Sequence, residues 1–160
     1  MSLKSIVLSL LTMAIATGAS ADRTVEMTLV HTTDVHGNFF PTDYINRRPG
    51  TGSMARVATY VDSLRAARGR ENVILVDAGD ILQGQPTVYY YNFIDTVSPH
   101  VAARVYNTMG YDAITVGNHD IETGHPVYDR FNRQLDKPLL AANAVSYTHL
   151  RAHETRGNLV

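Results

Sequence analysis

The chain has 160 residues and a formal net charge of −1, enough for about one domain and without the basic excess that draws a protein to nucleic acid. It contains no cysteine, which excludes disulfides and thiolate metal sites, so any metal must be held by His, Asp, Glu or Asn. An apolar share of 44% suits a packed globular core rather than a disordered chain.

Lys4 followed by the short apolar run Ile6–Ala16 has the form of an export leader, and the run is too short for a comfortable membrane span. Ala19-Ser20-Ala21 has the small-x-small form of a cleavage site, so residues 1–21 are expected to be removed after Ala21. That predicts a secreted or periplasmic protein with no stable membrane association. Val25–Thr33 is the first predicted strand, and its near-continuous apolar character predicts a central strand covered on both faces. A polar loop follows at Asp34–Asn38. Phe39–Gly52 is expected to be irregular, broken by Pro41, Pro49, Gly50 and Gly52.

Ser53–Arg68 is predicted as a helix, because Met54, Val57, Ala58, Val61 and Leu64 recur at three- and four-residue spacing. Ser53 is its expected N-cap and Gly69 its stop. Val73–Asp77 reads as a second strand buried on both faces. Gln83–Asn92 reads as a loop-helix junction into which Tyr89, Tyr90 and Tyr91 pack. Pro99–Met109 is a second helix closed by Gly110, Ala113–Val116 a third strand, Pro126–Leu135 a third helix and Leu139–Ala142 a fourth strand. Strands alternating with helices predict an α/β layered fold with parallel pairing at its centre.

Polar clusters follow three of these strands: Asp34 with His36, then Asp80, then Asn118 with His119. In open α/β sheets the C-terminal strand ends are where ligands bind. The residue types suit two divalent metal ions clamping a phosphate, with Asp80 as the shared anion between them. Asp34 and His36, two apart, can point to one side of extended backbone. Asn118 offers a neutral oxygen to the second ion. His119 is then placed to touch substrate. If a helical turn begins there, Glu122 is its i+3 neighbour and the preferred orienting partner. Asp120 is retained as the less favoured catalytic candidate. His, Asp and Asn ligands leave zinc, manganese, iron and cobalt all open.

The order Asp34-x-His36, Gly79-Asp80 and Gly117-Asn118-His119-Asp120 resembles the calcineurin-like metallophosphoesterase superfamily. The surrounding His31–Gly37, Gly52–Arg56, Asp77–Asp80 and Gly117–Glu122 are similar to the 5′-nucleotidase and 2′,3′-cyclic-nucleotide phosphodiesterase family. The resemblance covers about Thr24 to Val145. It implies the layered metallophosphoesterase fold, of which this chain carries a truncated β-α-β-α-β-α-β half of a two-sheet sandwich. It implies that Asp34, His36 and Asp80 bind one metal and that Asp80 and Asn118 bind the second. His119 would stabilise the transition state, partnered by Glu122 where many members have Asp. The expected partner is a nucleotide or other phosphate ester, and the expected reaction is attack of metal-activated water on phosphorus. The runner-up reading is a metal- or phosphate-binding module without turnover.

The family's later metal-binding histidines and its C-terminal nucleotide-binding domain have no counterpart in this sequence. Residues 146–160 resemble a translated adapter tail. His149, His153 and Glu154 lie there, but as one helical turn flanked by Arg151 and Arg156 they are a poor substitute for ligands from separate strand ends. The expectation is therefore an N-terminal fragment, residues 22–145, with a non-native tail, a half-built second metal site, an exposed sheet edge and marginal stability.

Overall fold

The computed structural model describes residues 24–141. The leader segment 1–21 and the tail 146–160 lie outside the described residues. Within them the strands are β1 (Thr28–Thr32), β2 (Thr42–Asp43), β3 (Arg48–Pro49), β4 (Val73–Asp77), β5 (Ala113–Thr115) and β6 (Leu139–Leu140). The helices are α1 (Met54–Arg68), α2 (Pro86–Tyr89), α3 (Val101–Met109), α4 (Asn118–Glu122) and α5 (His125–Gln134). The chain is a mixed α/β structure around a parallel sheet in the order β1-β4-β5-β6. None of the described helices is long and apolar enough to cross a membrane.

Strand order in that sheet follows chain order without reversal. Right-handed crossovers that always step in one direction deliver every helix to the same face of the sheet. Leu75, Ile114 and Leu139 point into that face and meet Val61, Tyr106 and Phe131 from the helices, each no more than 1% exposed. Burying a side chain of this size fully stabilises by about 1.5–3 kcal/mol.

The opposite face is open among the described residues, and this corrects two expectations. Among the described residues β1 lies at the sheet edge rather than its centre: it pairs there with β4 alone, and its burial alternates between half-buried and exposed. β4 is central in the sheet, yet Ile74 on its outer face is 37% exposed. Apolar runs looked doubly covered because their outward positions, Leu29, Ile74 and Val76, are also apolar. Periodicity cannot separate the two cases when both faces carry the same residue types.

The helix boundaries follow local chemistry. Ser53 Oγ accepts the Arg56 N–H at 3.4 Å, and Gly69 leaves α1 at φ 87°. Gly110 closes α3 in the left-handed conformation. The segment expected to be irregular holds a small antiparallel hairpin, β2 with β3. Asp43 Oδ1 organises its turn by accepting the N–H groups of Ile45 and Asn46 at 3.1 and 3.0 Å. The tyrosine run differs from expectation at two of its three positions, while Tyr91 is half-buried against His100. Val88 and Asn92 are the buried residues of α2 and the wide turn after it, while Tyr89 and Tyr90 are exposed.

Candidate metal centre

The parallel ladder continues past the strand ends and carries the site. Ala78 N–H donates to the Thr32 carbonyl at 2.9 Å, Asp34 N–H to the Gly79 carbonyl at 3.0 Å and His36 N–H to the Asp80 carbonyl at 2.8 Å. The loops after β1 and β4 are thereby locked side by side. The loop after β5 joins them through Gly79 and Gly117. A Cβ on Gly79 would overlap the Gly117 backbone, and one on Gly117 would overlap the Asp80 carboxylate. Only glycine permits this approach.

Three of the expected ligands, Asp34, His36 and Asp80, have φ of 52°, 48° and 61°. Non-glycine residues in this left-handed region cost about 1–3 kcal/mol each, and such strain clusters at functional sites. The strain serves convergence. One ligand atom from each of His36, Asp80 and His119 lies within 4.8 Å of the others. Asp34 Oδ1 is 3.8 Å from His36 Nε2, and the His36 and His119 rings are 5.3 Å apart. His36 Nδ1 sits 2.8 Å from the Gln83 carbonyl, which can only accept, so Nδ1 is the donor in that contact and Nε2 is the nitrogen left for the group. Carboxylates and an imidazole nitrogen at one partly exposed spot are a donor set that fits a divalent cation.

Asn118 opens α4 and is exposed. His119 follows, and its backbone N–H donates to Asp80 Oδ1 at 2.9 Å. The helical turn brings Glu122 round so that its Oε2 is 2.9 Å from His119 Nδ1. That hydrogen bond raises the His119 pKa above the usual histidine value and lowers that of Glu122, with the mutual charge adding in the same sense. The expected i+3 pair is thus in contact.

Asp120, the less favoured candidate, has a different environment. It is fully buried, and its two oxygens accept the backbone N–H groups of Asp80, Ile81, Leu82 and Gly117 at 2.8–2.9 Å. Burial pushes its pKa up, while those four N–H groups oppose the shift. Both oxygens are committed to backbone N–H groups, and the side chain in contact with the His119 ring is that of Glu122. Asp120 ties the turn after β4 to the start of α4. An acid three residues after a glycine N-cap is a helix-start pattern, and that signal was available in the sequence. The Gln83 carbonyl, by contrast, is backbone and leaves no mark on residue type.

The family description "calcineurin-like phosphoesterase" matches residues 27–157, a span that includes most of the segment read as a tail. Among curated proteins, the 5′-nucleotidase of Bos taurus is 34% identical over 129 residues, covering 77% of this chain and 21% of that protein. Protein UshA of Escherichia coli is 34% identical over 125 residues, covering 76% and 20%. The crystal structure of calcineurin-like phosphoesterase YfkN from Bacillus subtilis superposes with a TM-score of 0.66 at 30% identity, over 75% of this chain and 37% of that one. The chain thus spans about one fifth of the length of the first two relatives. With the family match running through most of its length, this chain belongs to the calcineurin-like phosphoesterase family.

Proposed function

We propose that this chain carries the N-terminal share of the metal centre of an exported phosphohydrolase acting on nucleotides, as a 5′-nucleotidase, a 2′,3′-cyclic-nucleotide phosphodiesterase or both. The observation that carries this reading is the convergence of Asp34, His36, Asp80 and His119 at the C-terminal end of the sheet. Asp34, His36 and Asp80 would hold one divalent ion, and Asp80 with Asn118 would begin the shell of a second. Bound ions of this kind supply Lewis acidity toward phosphoryl oxygens and activate water for in-line attack on phosphorus.

His119 stands close enough to His36 and Asp80 to be counted as a third ligand. Its contact with Glu122 argues for the substrate-facing role instead. A histidine whose pKa is raised by a carboxylate favours its charged form, which donates to a phosphoryl oxygen or leaving group and has no lone pair for a metal. Glu122 holds Nδ1 at 2.9 Å, which leaves Nε2 as the nitrogen available to a substrate oxygen. Domain organisation follows the same reading: residues 22–145 supply this half of the site, and a further nucleotide-binding domain supplies the base pocket. The leader-like segment 1–21 supports export.

The test is metal titration and hydrolysis with the full chain, using manganese or zinc and a nucleoside 5′-monophosphate, a 2′,3′-cyclic nucleotide and a generic aryl phosphate. Asp80→Asn keeps the size of the side chain, and Asn tolerates the left-handed backbone. It is expected to abolish tight metal binding while changing metal-free stability by less than about 1 kcal/mol. Tight binding by Asp80→Asn would overturn the assignment. Metal binding without turnover would favour the binding-module reading, which the compact group His36, Asp80 and His119 otherwise supports.

A further inference from the structure

We infer that Asp77 is a positioning residue for the metal centre: its buried carboxylate sets the turn that aims Asp80 and ties that turn to the strand end carrying Asp34. This deepens the proposed function and rests on it. Asp77 is the last residue of β4 and is 2% exposed. Oδ1 accepts the Gly79 N–H at 2.8 Å. Oδ2 accepts from the hydroxyls of Thr32 and, at 3.0 Å, of Tyr106. The Thr32 hydroxyl is in turn 2.7 Å from the Tyr111 hydroxyl.

An aspartate in this position needs a reason. The rest of β4 is Val73-Ile74-Leu75-Val76, and an apolar fifth residue would continue it without the desolvation penalty of a carboxylate. Burial does push the Asp77 pKa up, the mark of that penalty. What the acid supplies is a local turn. An Asp side chain that captures the N–H two residues on folds the backbone back on itself. Here that capture leads into Gly79 at φ 98° and Asp80 at φ 61°. The strained conformation of Asp80 thus begins at a bond that Asp77 makes.

The second oxygen reaches sideways. Thr32 ends β1, two residues before Asp34, so the Thr32–Asp77 contact joins the two ligand-bearing loops below the site. Tyr106, on α3, holds the same oxygen from the helix layer. Asp77 touches neither substrate nor metal position. It acts through Asp80 and Asp34, in the way that outer partners orient first ligands.

The experiment measures cobalt(II) affinity and the cobalt absorption spectrum of the full chain, at a temperature well below each variant's Tm. Asp77→Ala is expected to weaken cobalt binding about tenfold to a hundredfold and to alter the spectrum. Asp77→Asn keeps an acceptor for Gly79 and lets the Thr32 and Tyr106 hydroxyls turn to accept from its amide, so it is expected to restore near wild-type affinity. Thr32→Val leaves the carboxylate in place and removes one tie; it is expected to weaken binding about threefold to tenfold, the worth of one hydrogen bond. A purely structural role would lower Tm and leave affinity and spectrum of the folded protein unchanged. Wild-type affinity and spectrum in Asp77→Ala would overturn the inference, as would an Asp77→Asn as weak as Asp77→Ala. If Asp77→Ala does not fold, unchanged affinity in Thr32→Val overturns it. Failure of the wild type itself to bind cobalt sinks the metal-centre reading along with it, whereas loss in Asp80→Asn but not in Asp77→Ala sinks the positioning role alone.

Discussion

His119 and Glu122 form a pair whose meaning depends on both sequence spacing and backbone. The i+3 relation was legible once a helical turn was assumed, and the turn exists because Asp120 reaches back to the Gly117 N–H. The pair makes a direct prediction for the metal-free chain. Glu122 holds the His119 pKa above 6.5, so Glu122→Gln is expected to bring it back toward that value, read from the imidazole signals by NMR titration. The sign for stability follows: a raised histidine pKa contributes fully below 6.5 and is lost as pH rises through the raised value. Both side chains are solvent-exposed, so this contribution is small. An unshifted midpoint in Glu122→Gln would mean that Glu122 does not set the charge state of His119. What the sequence did not disclose at this scale is strain. Nothing in the letters Asp34, His36 and Asp80 announces positive φ, because that conformation depends on how the turns are held: by backbone bonds between loops some 40 or more residues apart and, for Asp80, also by the Asp77 capture of the Gly79 N–H.

At the scale of elements, α1 was legible because its apolar spacing agreed with the cap at Ser53 and the stop at Gly69, and α3 because Gly110 closes it. His100 shows a support that spacing does not encode. It caps α3, with Nδ1 accepting the Ala102 N–H at 3.2 Å. Its Nε2 contacts Asn92 Oδ1 at 2.8 Å, and Asn92 Nδ2 donates to the Leu82 carbonyl at 2.6 Å. Asn92 already spends its amide on Leu82, so Nε2 is the histidine donor and Nδ1 must stay unprotonated. Burial, with the Arg130 charge adding to it, pulls the His100 pKa down from 6.5 to about 4. The unfolded chain therefore takes up a proton first as pH falls, and stability drops between 6.5 and about 4. The full gap corresponds to about 3 kcal/mol at most. Asp77 and Asp120, both raised by burial, act in the opposite sense nearer 3.8. The quantity to measure is thus the difference between wild type and His100→Asn in chemical unfolding across this range. Asparagine preserves an N-cap acceptor and does not titrate, so the variant is expected to lose the acid sensitivity below 6.5. Equal pH slopes in the two proteins would refute the role of His100.

Among the described residues the helices pack on one side of the sheet, and the reason lies in topology rather than composition. Val-Ile-Leu-Val in β4 was read as buried on both faces, yet a sheet that grows in one direction through right-handed crossovers collects its helices on one side. Leu29 and Ile74 are paired in register on the other side, 66% and 37% exposed, and Leu140 at the far edge is 39% exposed. Exposed neighbouring apolar side chains on a sheet whose β1 edge has no further partner among the described residues favour association between copies. The double variant Leu29→Thr with Ile74→Thr separates the two readings of the strand. Were both faces covered, exchanging two packed aliphatic residues for threonine would cost several kcal/mol, roughly 1.5–3 for each side chain. With the face open, threonine suits an exposed strand, and the change in unfolding free energy is expected to stay within about 1 kcal/mol. Over the same range of protein concentration, light scattering is expected to show less self-association than in the wild type. A large loss of stability with unchanged scattering would return β1 and β4 to the covered interior that their composition first suggested.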